Sequence, residues 1–219
     1  MARQAGGPLG NRGPKLTQDR TWLDALEPAA PDAVALFRVY AAGELVRMRK
    51  QLRRLAGDGT AVGVAGQLDA VAVALGVVVA ALPDEAFALP GGEADWTVAE
   101  ALGHALDARR TLTFAAALAA SGRWPAEAPT VVPSVPGPTS ATRTELLAHL
   151  ERSRRQVAHS ARAIAGHETT ECPLGHPVAG RMRCGEWLLF AGVHDLMHLD
   201  QLHSLAVGAA VRGEALETG

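Results

Sequence analysis

Apolar residues recur at intervals of three and four along most of the chain, a spacing that predicts helices. Between residues 32 and 56, Val34, Phe37, Tyr40, Ala41, Leu45, Met48 and Leu52 share one face, which predicts a first helix there. Gly57-Asp58-Gly59 breaks it. The stretch 62–82 is apolar on most sides, as a central bundle helix would be. It holds the longest apolar run, 13 residues from 70 to 82. That falls short of the ~20 residues of a membrane span, so a buried helix is expected and no membrane segment. Thr97 followed by Glu100, and Thr142 followed by Glu145, have the spacing of capping boxes, and predict helices over 98–120 and 143–165. A last helix is expected over 184–207. The five prolines at 125, 129, 133, 136 and 138 make residues 123–140 a crossover loop. Residues 167–183 read as a second loop.

Four long helices after residue 60, joined by three loops, predict an all-α four-helix bundle. Its expected extent is 61–210, with a tail at 211–219. Residues 1–60 would form a disordered tail, rich in Gly, Pro and polar groups, followed by the accessory helix. The apolar face of that helix must be covered, either by the outside of the bundle or by a second copy in a homodimer.

With 48% hydrophobic and 20% charged residues, the 219-residue chain is not disordered as a whole. Lys+Arg minus Asp+Glu is 21 − 23 = −2, so there is no overall electrostatic footprint for nucleic acid. Arg47, Arg49, Lys50, Arg53 and Arg54 crowd the end of the 32–56 helix. That placement suits the helix dipole; the other reading is a patch for an anionic partner. Two cysteines, Cys172 and Cys184, make no disulfide framework. The first 16 residues lack the apolar stretch of a signal peptide. A cytoplasmic protein is expected.

The candidate chemistry lies in histidines. His194 and His198, four apart on a helix, differ by ~40° of rotation and ~6 Å of rise, so their imidazoles leave one face. Such a pair can hold a transition metal, or it can be a polar pair at a bundle rim. Gln201 shares that face and would orient a ligand or water, or simply pack. His104 sits mid-helix among Leu102 and Leu106, as a third ligand or a satisfied core residue, and Asp107, one turn after it, would orient a ligand or water as Gln201 would. His203 should point away from the pair. His149 and His159 read as surface residues, and Trp187 and Phe190 as core anchors. Cys172, His176 and Cys184 lack a fourth ligand for a second zinc site.

The string from Trp96 to His104, with Thr97, the capping acid Glu100 and a histidine eight after the tryptophan, resembles the signature of the DinB superfamily. The later string is similar to its other half: His176-Pro177, Gly180, Glu186-Trp187, His194-x3-His198 and Gln201. The resemblance covers residues 61–208, and the first 60 lie outside it. It implies a four-helix bundle of up-down-down-up order. It also implies three histidines, His104, His194 and His198, around one divalent metal, zinc or nickel, with water in the open positions. The family includes the metal-binding domain of mycothiol-dependent maleylpyruvate isomerases, and some relatives bind a low-molecular-weight thiol.

The reading that follows is a metalloprotein acting on a small molecule, as a thiol-dependent transferase or isomerase. Alanine richness and a preference for arginine over lysine suggest a high-GC genome, for which mycothiol is a reasonable thiol. Two rivals stand beside it. One is a metal-dependent hydrolase with Asp107 or Glu186 as general base. The other is a non-enzymatic, metal-stabilised bundle of a stress response.

Overall fold

The structure is a computed structural model that describes residues 20–58, 60–91, 95–133, 135–177 and 179–217. Apart from Arg20, the expected N-terminal tail over 1–20 lies outside them, as do Gly59 and Gly92 of two expected breaks. Among the described residues the fold is helical, with one small hairpin. The helices are α1 (Thr21–Leu26), α2 (Pro31–Ala41), α3 (Leu45–Asp58), α4 (Ala61–Ala81), α5 (Val98–Ala120), α6 (Arg143–Ile164) and α7 (Cys184–Glu217). The hairpin pairs β1 (Glu171–His176) with β2 (Gly180–Arg183).

Helices α4 to α7 make the bundle, in which α5 and α4 each pack on both α6 and α7. Side-chain contacts fix the directions. Arg143 reaches the Leu82 carbonyl and Arg154 pairs with Asp69, so α6 runs antiparallel to α4. Arg109 meets both Asp195 and the Leu68 carbonyl, near the middle of α5, α7 and α4. Ala61, at the start of α4, is held by Glu168, whose carbonyl accepts from Gly185 at the start of α7. α4 and α7 therefore run parallel, α5 and α6 oppose them, and the order is up-down-down-up. The capping boxes are formed: Thr97 and Thr142 each accept from the backbone three residues on, and Glu100 and Glu145 each reach back.

α4 is the described helix long and apolar enough to cross a membrane by length and composition. Its Val64, Leu68, Val71, Leu75 and Val79 are buried, but Val62, Val73 and Val77 are exposed and only 33% of its apolar stretch is covered, so the helix expected to be buried shows one face to the surface.

Three expectations need correction. The helix foreseen over 32–56 is two helices, α2 and α3, parted at Gly43, whose φ of +76° is left-handed and suits a residue without Cβ. The expected loop 167–183 contains the hairpin, in which buried Cys172 and Leu174 alternate with exposed Glu171 and Pro173. The last helix runs on to Glu217, so the segment 211–217 continues α7 instead of forming a tail.

The N-terminal helices share the bundle's core. Leu36 and Phe37 of α2 and Met48 and Leu52 of α3 are buried, and both helices pack on α7. Gln67 of α4 caps α2 by accepting from the Asp32 and Ala33 amides at 2.8 and 3.3 Å. Arg20 forks onto Asp200 of α7 at 2.8 and 2.7 Å.

Candidate metal centre

Three imidazoles meet where α5 faces α7. One ring nitrogen from each of His104, His194 and His198 lies within 4.8 Å of the other two. The ring centroids are 5.4 Å apart for His104 and His194, 5.6 Å for His104 and His198, and 4.7 Å for His194 and His198. The last pair owes its closeness to the one-turn spacing on α7. His104 arrives because α5 lies antiparallel against that face. Among the described residues this is the one group of three or more metal-ligating side chains.

Hydrogen bonds set the tautomers of two rings. His104 Nδ1 is 2.7 Å from the Val135 carbonyl. A carbonyl only accepts, so Nδ1 carries the proton and the Nε2 lone pair is free. His198 Nδ1 donates to Gln201 Oε1 at 2.9 Å, with the same consequence. Such outer hydrogen bonds usually orient metal-bound histidines and raise their basicity. The His194 Nδ1 is buried without a hydrogen-bond partner among the described residues. A buried imidazole nitrogen left in that state is costly unless something else satisfies it.

Burial is the main cause that pushes His194 well below the ordinary histidine range, with the neighbouring His198, His104 and His176 adding to it. Burial, then His104, pushes His198 down to about 4, against the opposing effect of Gln201. At neutral pH these two rings are therefore uncharged donors.

The Val135 carbonyl comes from the crossover loop, which is laid across α5 by a close backbone approach. The Gly137 amide donates to the Glu100 carbonyl at 3.0 Å. A Cβ on Gly137 would come within 2.5 Å of the Gly103 Cα, so neither strand of this contact has room for a side chain. The Trp96 ring covers His104 from the other end of the motif, at 4.9 Å between centroids.

Other candidates are placed elsewhere. Asp107 lies on the outside of α5, 3.3 Å from Arg110 and 3.4 Å from His149, and makes no bond to the triad. His149 is consequently half-buried and not a plain surface residue, whereas His159 is exposed. Glu186 is engaged by Arg53 at 3.0 Å and by the Arg183 amide at 3.1 Å, two turns of α7 before His194. Neither of the two acids foreseen as a hydrolytic base faces the histidines. His203 stacks on Trp22 at 4.8 Å, away from the triad. Cys172 and Cys184 are free, buried thiols, and burial pushes Cys184 up to about 12. His176 accepts from the Ala179 amide at 3.1 Å and rests on Phe190 and Trp187.

A DinB superfamily model matches residues 67–202. The chain belongs to the DinB superfamily. The match includes all three histidines and Gln201, and begins after α1, α2 and α3. No curated protein and no solved structure matches the chain.

Sequence reasoning missed the ion pair beside this centre. Arg109 and Asp195 are both fully buried, and Arg109 also donates to the Leu68 carbonyl at 2.8 Å. A signal was present: Arg109 continues the core-facing positions Leu102, Leu106 and Leu112 of α5, where a lone cation needs a buried acid.

Proposed function

We propose that this DinB superfamily protein binds one divalent metal ion, zinc or nickel, through His104, His194 and His198. The observation that carries the reading is the pre-set tautomer of His104 and His198, which leaves a nitrogen lone pair free on each ring beside a third, underbonded imidazole. Three imidazole nitrogens suit a borderline divalent ion better than calcium or magnesium, which prefer oxygen. Three protein ligands are also the number found where one position is left for water or substrate. When bound, the metal would act as a Lewis acid and favour the thiolate of a bound thiol. The chain's own part is to hold His194 and His198 neutral by burial, to orient His104 through the Val135 carbonyl and His198 through Gln201, and to shield one flank with Trp96.

On that basis the activity is a thiol-dependent transfer or isomerisation of a small molecule, with a mycothiol-type thiol as cosubstrate. The thiol is supported by the resemblance to mycothiol-dependent relatives, and neither Asp107 nor Glu186, the acids foreseen as hydrolytic bases, faces the triad, which favours it over hydrolysis.

The test is elemental analysis of wild type and His198→Ala, each chelated and then reloaded with zinc or nickel. The expected result is about one metal per wild-type chain, little in the variant, and a cooperative thermal melt in both. Bound metal should raise the wild-type melting temperature by mass action, by about 2.7 kcal/mol of stability at a hundredfold excess over Kd. Equal metal content in the two proteins overturns the site. Consumption of mycothiol with candidate electrophiles then tests the thiol step alone.

A further inference from the structure

A second cluster of charge lies at the other end of α7. Arg49, Lys50 and Arg53 of α3 face Arg181 of β2 across a cavity of about 270 Å³. Its floor is apolar, with Leu52 and Met182 both buried. The Arg49 guanidinium lies over the hairpin turn, 3.4 Å from where a Cβ on Gly180 would stand.

The one acid lining this cavity, Glu186, is already used: one oxygen accepts from Arg53 and the other from the Arg183 amide. Arg49, Lys50 and Arg181 thus have no ion-pair partner among the described residues. Arg47, one turn before Lys50, differs in that it is paired with Glu44 at 2.9 Å. The dipole of α3 does not account for these cations: the helix begins at Leu45, so Arg49 and Lys50 stand in its first half and its last turn holds no basic residue, while Arg181 is brought to meet them by a different element. These cations are exposed, so water screens their mutual repulsion, and their convergence on one concavity from two elements makes it a place where an anion is favoured.

We infer that this cavity binds a small organic anion, a phosphate ester or carboxylate whose non-polar part lies on Leu52 and Met182. Guanidinium forks suit both acid groups. The volume is near the lower end of the ~300–1,000 Å³ usual for small-molecule sites. Half of the site, α3, precedes the part of the chain that the family model matches, so the site lies partly outside the matched region. Glu186 precedes His194 by eight residues, ~12 Å along the helix axis, so the cavity is separate from the three histidines.

The test is calorimetric titration of the full chain with phenyl phosphate, benzoate, inorganic phosphate and a short DNA duplex. Saturable binding of phenyl phosphate or benzoate is expected, tighter than that of inorganic phosphate, and the better of the two organic anions names the acid group. Arg49→Gln with Arg181→Gln should weaken it at least tenfold, and Lys50→Gln alone severalfold, while Arg47→Gln leaves it unchanged. A thermal melt checks each variant; if the double variant is unfolded, Lys50→Gln decides. Affinity should be equal in chelated and zinc-loaded protein, which keeps this outcome distinct from that of the histidine site. No saturable binding of either organic anion overturns the inference. So does equal weakening by Arg47→Gln, binding that requires metal, inorganic phosphate binding as tightly as phenyl phosphate, or tighter binding of the duplex.

Discussion

His194 and Asp195 are neighbours on α7, and each joins α7 to α5 through a buried polar contact, yet the two contacts are opposites. Asp195 meets Arg109, a charge of opposite sign, and the pair is complete in net charge. His194 meets His198 and His104, groups that repel one another once protonated. The ion pair is closed in charge, although Arg109 Nε and Asp195 Oδ1, like His194 Nδ1, lack a hydrogen-bond partner among the described residues. The histidine contact is open: it gathers imidazole nitrogens with no opposite charge among them, and burial holds His194 and His198 uncharged. Adjacent positions on one helix thus separate a charge-balanced ion pair from a cluster of imidazole donors of the kind a metal would suit, and the distinction rests on the charge of the partners, not on burial or unpaired atoms, which both share.

The largest expected effect falls on the closed contact. Arg109→Ala leaves Asp195 buried and unpaired, which usually costs about 3–5 kcal/mol. For a chain of this size that is a fall of about 6–20 °C in melting temperature, at roughly 2–4 °C per kcal/mol. Replacing both partners with apolar residues, as Arg109→Met with Asp195→Leu, should recover most of the loss, because the desolvation of two charges goes with them. If Arg109→Ala melts within about 2 °C of wild type, the pair is not the structural half of the comparison.

Acid acts on the two contacts with opposite signs. His198 titrates at about 4 in the folded chain, against about 6.5 when unfolded. Between those values the unfolded chain carries a proton that the folded one does not, so its contribution to stability falls as pH falls. Asp195 is pushed up to about 6 by burial, against the pull of Arg109, from an ordinary value of 3.8. Between 6 and 3.8 the folded chain carries the extra proton, and that contribution rises as pH falls. In chelated protein, His198→Gln should therefore lower the slope of stability against pH between 4 and 6 by one proton, about 1.4 kcal/mol per pH unit. Urea unfolding at several pH values measures it; an unchanged slope would mean that His198 is not held neutral.

The same contrast explains what could be read in advance. The starts of α5 and α6 were legible because Thr97–Glu100 and Thr142–Glu145 state a local hydrogen-bond pattern in residue types. His194 and His198 were legible because helix geometry is local too. His104 required the family resemblance, since nothing in α5 alone says that it will face α7. The Val135 carbonyl could not be foreseen, because a main-chain acceptor leaves no mark in residue type and its place depends on the Gly103–Gly137 contact. The break between α2 and α3 was hidden because the apolar spacing of Ala41, Leu45 and Met48 continues through Gly43. The β1–β2 hairpin was hidden by its shortness and by Pro173, a residue seldom found inside strands.

The smallest effect tests how the open contact is tuned. Gln201 touches no metal position itself; it accepts the His198 Nδ1 proton and so holds the Nε2 lone pair toward the other rings. Gln201→Leu removes the acceptor and leaves that N–H buried. Loss of such an outer partner typically weakens metal affinity 10–100-fold, about 1.4–2.7 kcal/mol. Gln201→Glu keeps an acceptor at the same reach, with charge added, and should restore affinity to the wild-type level or above. Chelated Gln201→Glu should melt close to chelated wild type, since the helix packing around Leu199 and Leu202 is untouched, whereas chelated Gln201→Leu should lose about 1–3 kcal/mol for the buried, unpaired N–H. Competition with a chromophoric chelator reads the affinity. A Gln201→Leu protein that binds zinc or nickel as tightly as wild type would show that the tautomer of His198 is set by something other than Gln201. A loss that Gln201→Glu fails to restore would make the residue a packing element of α7.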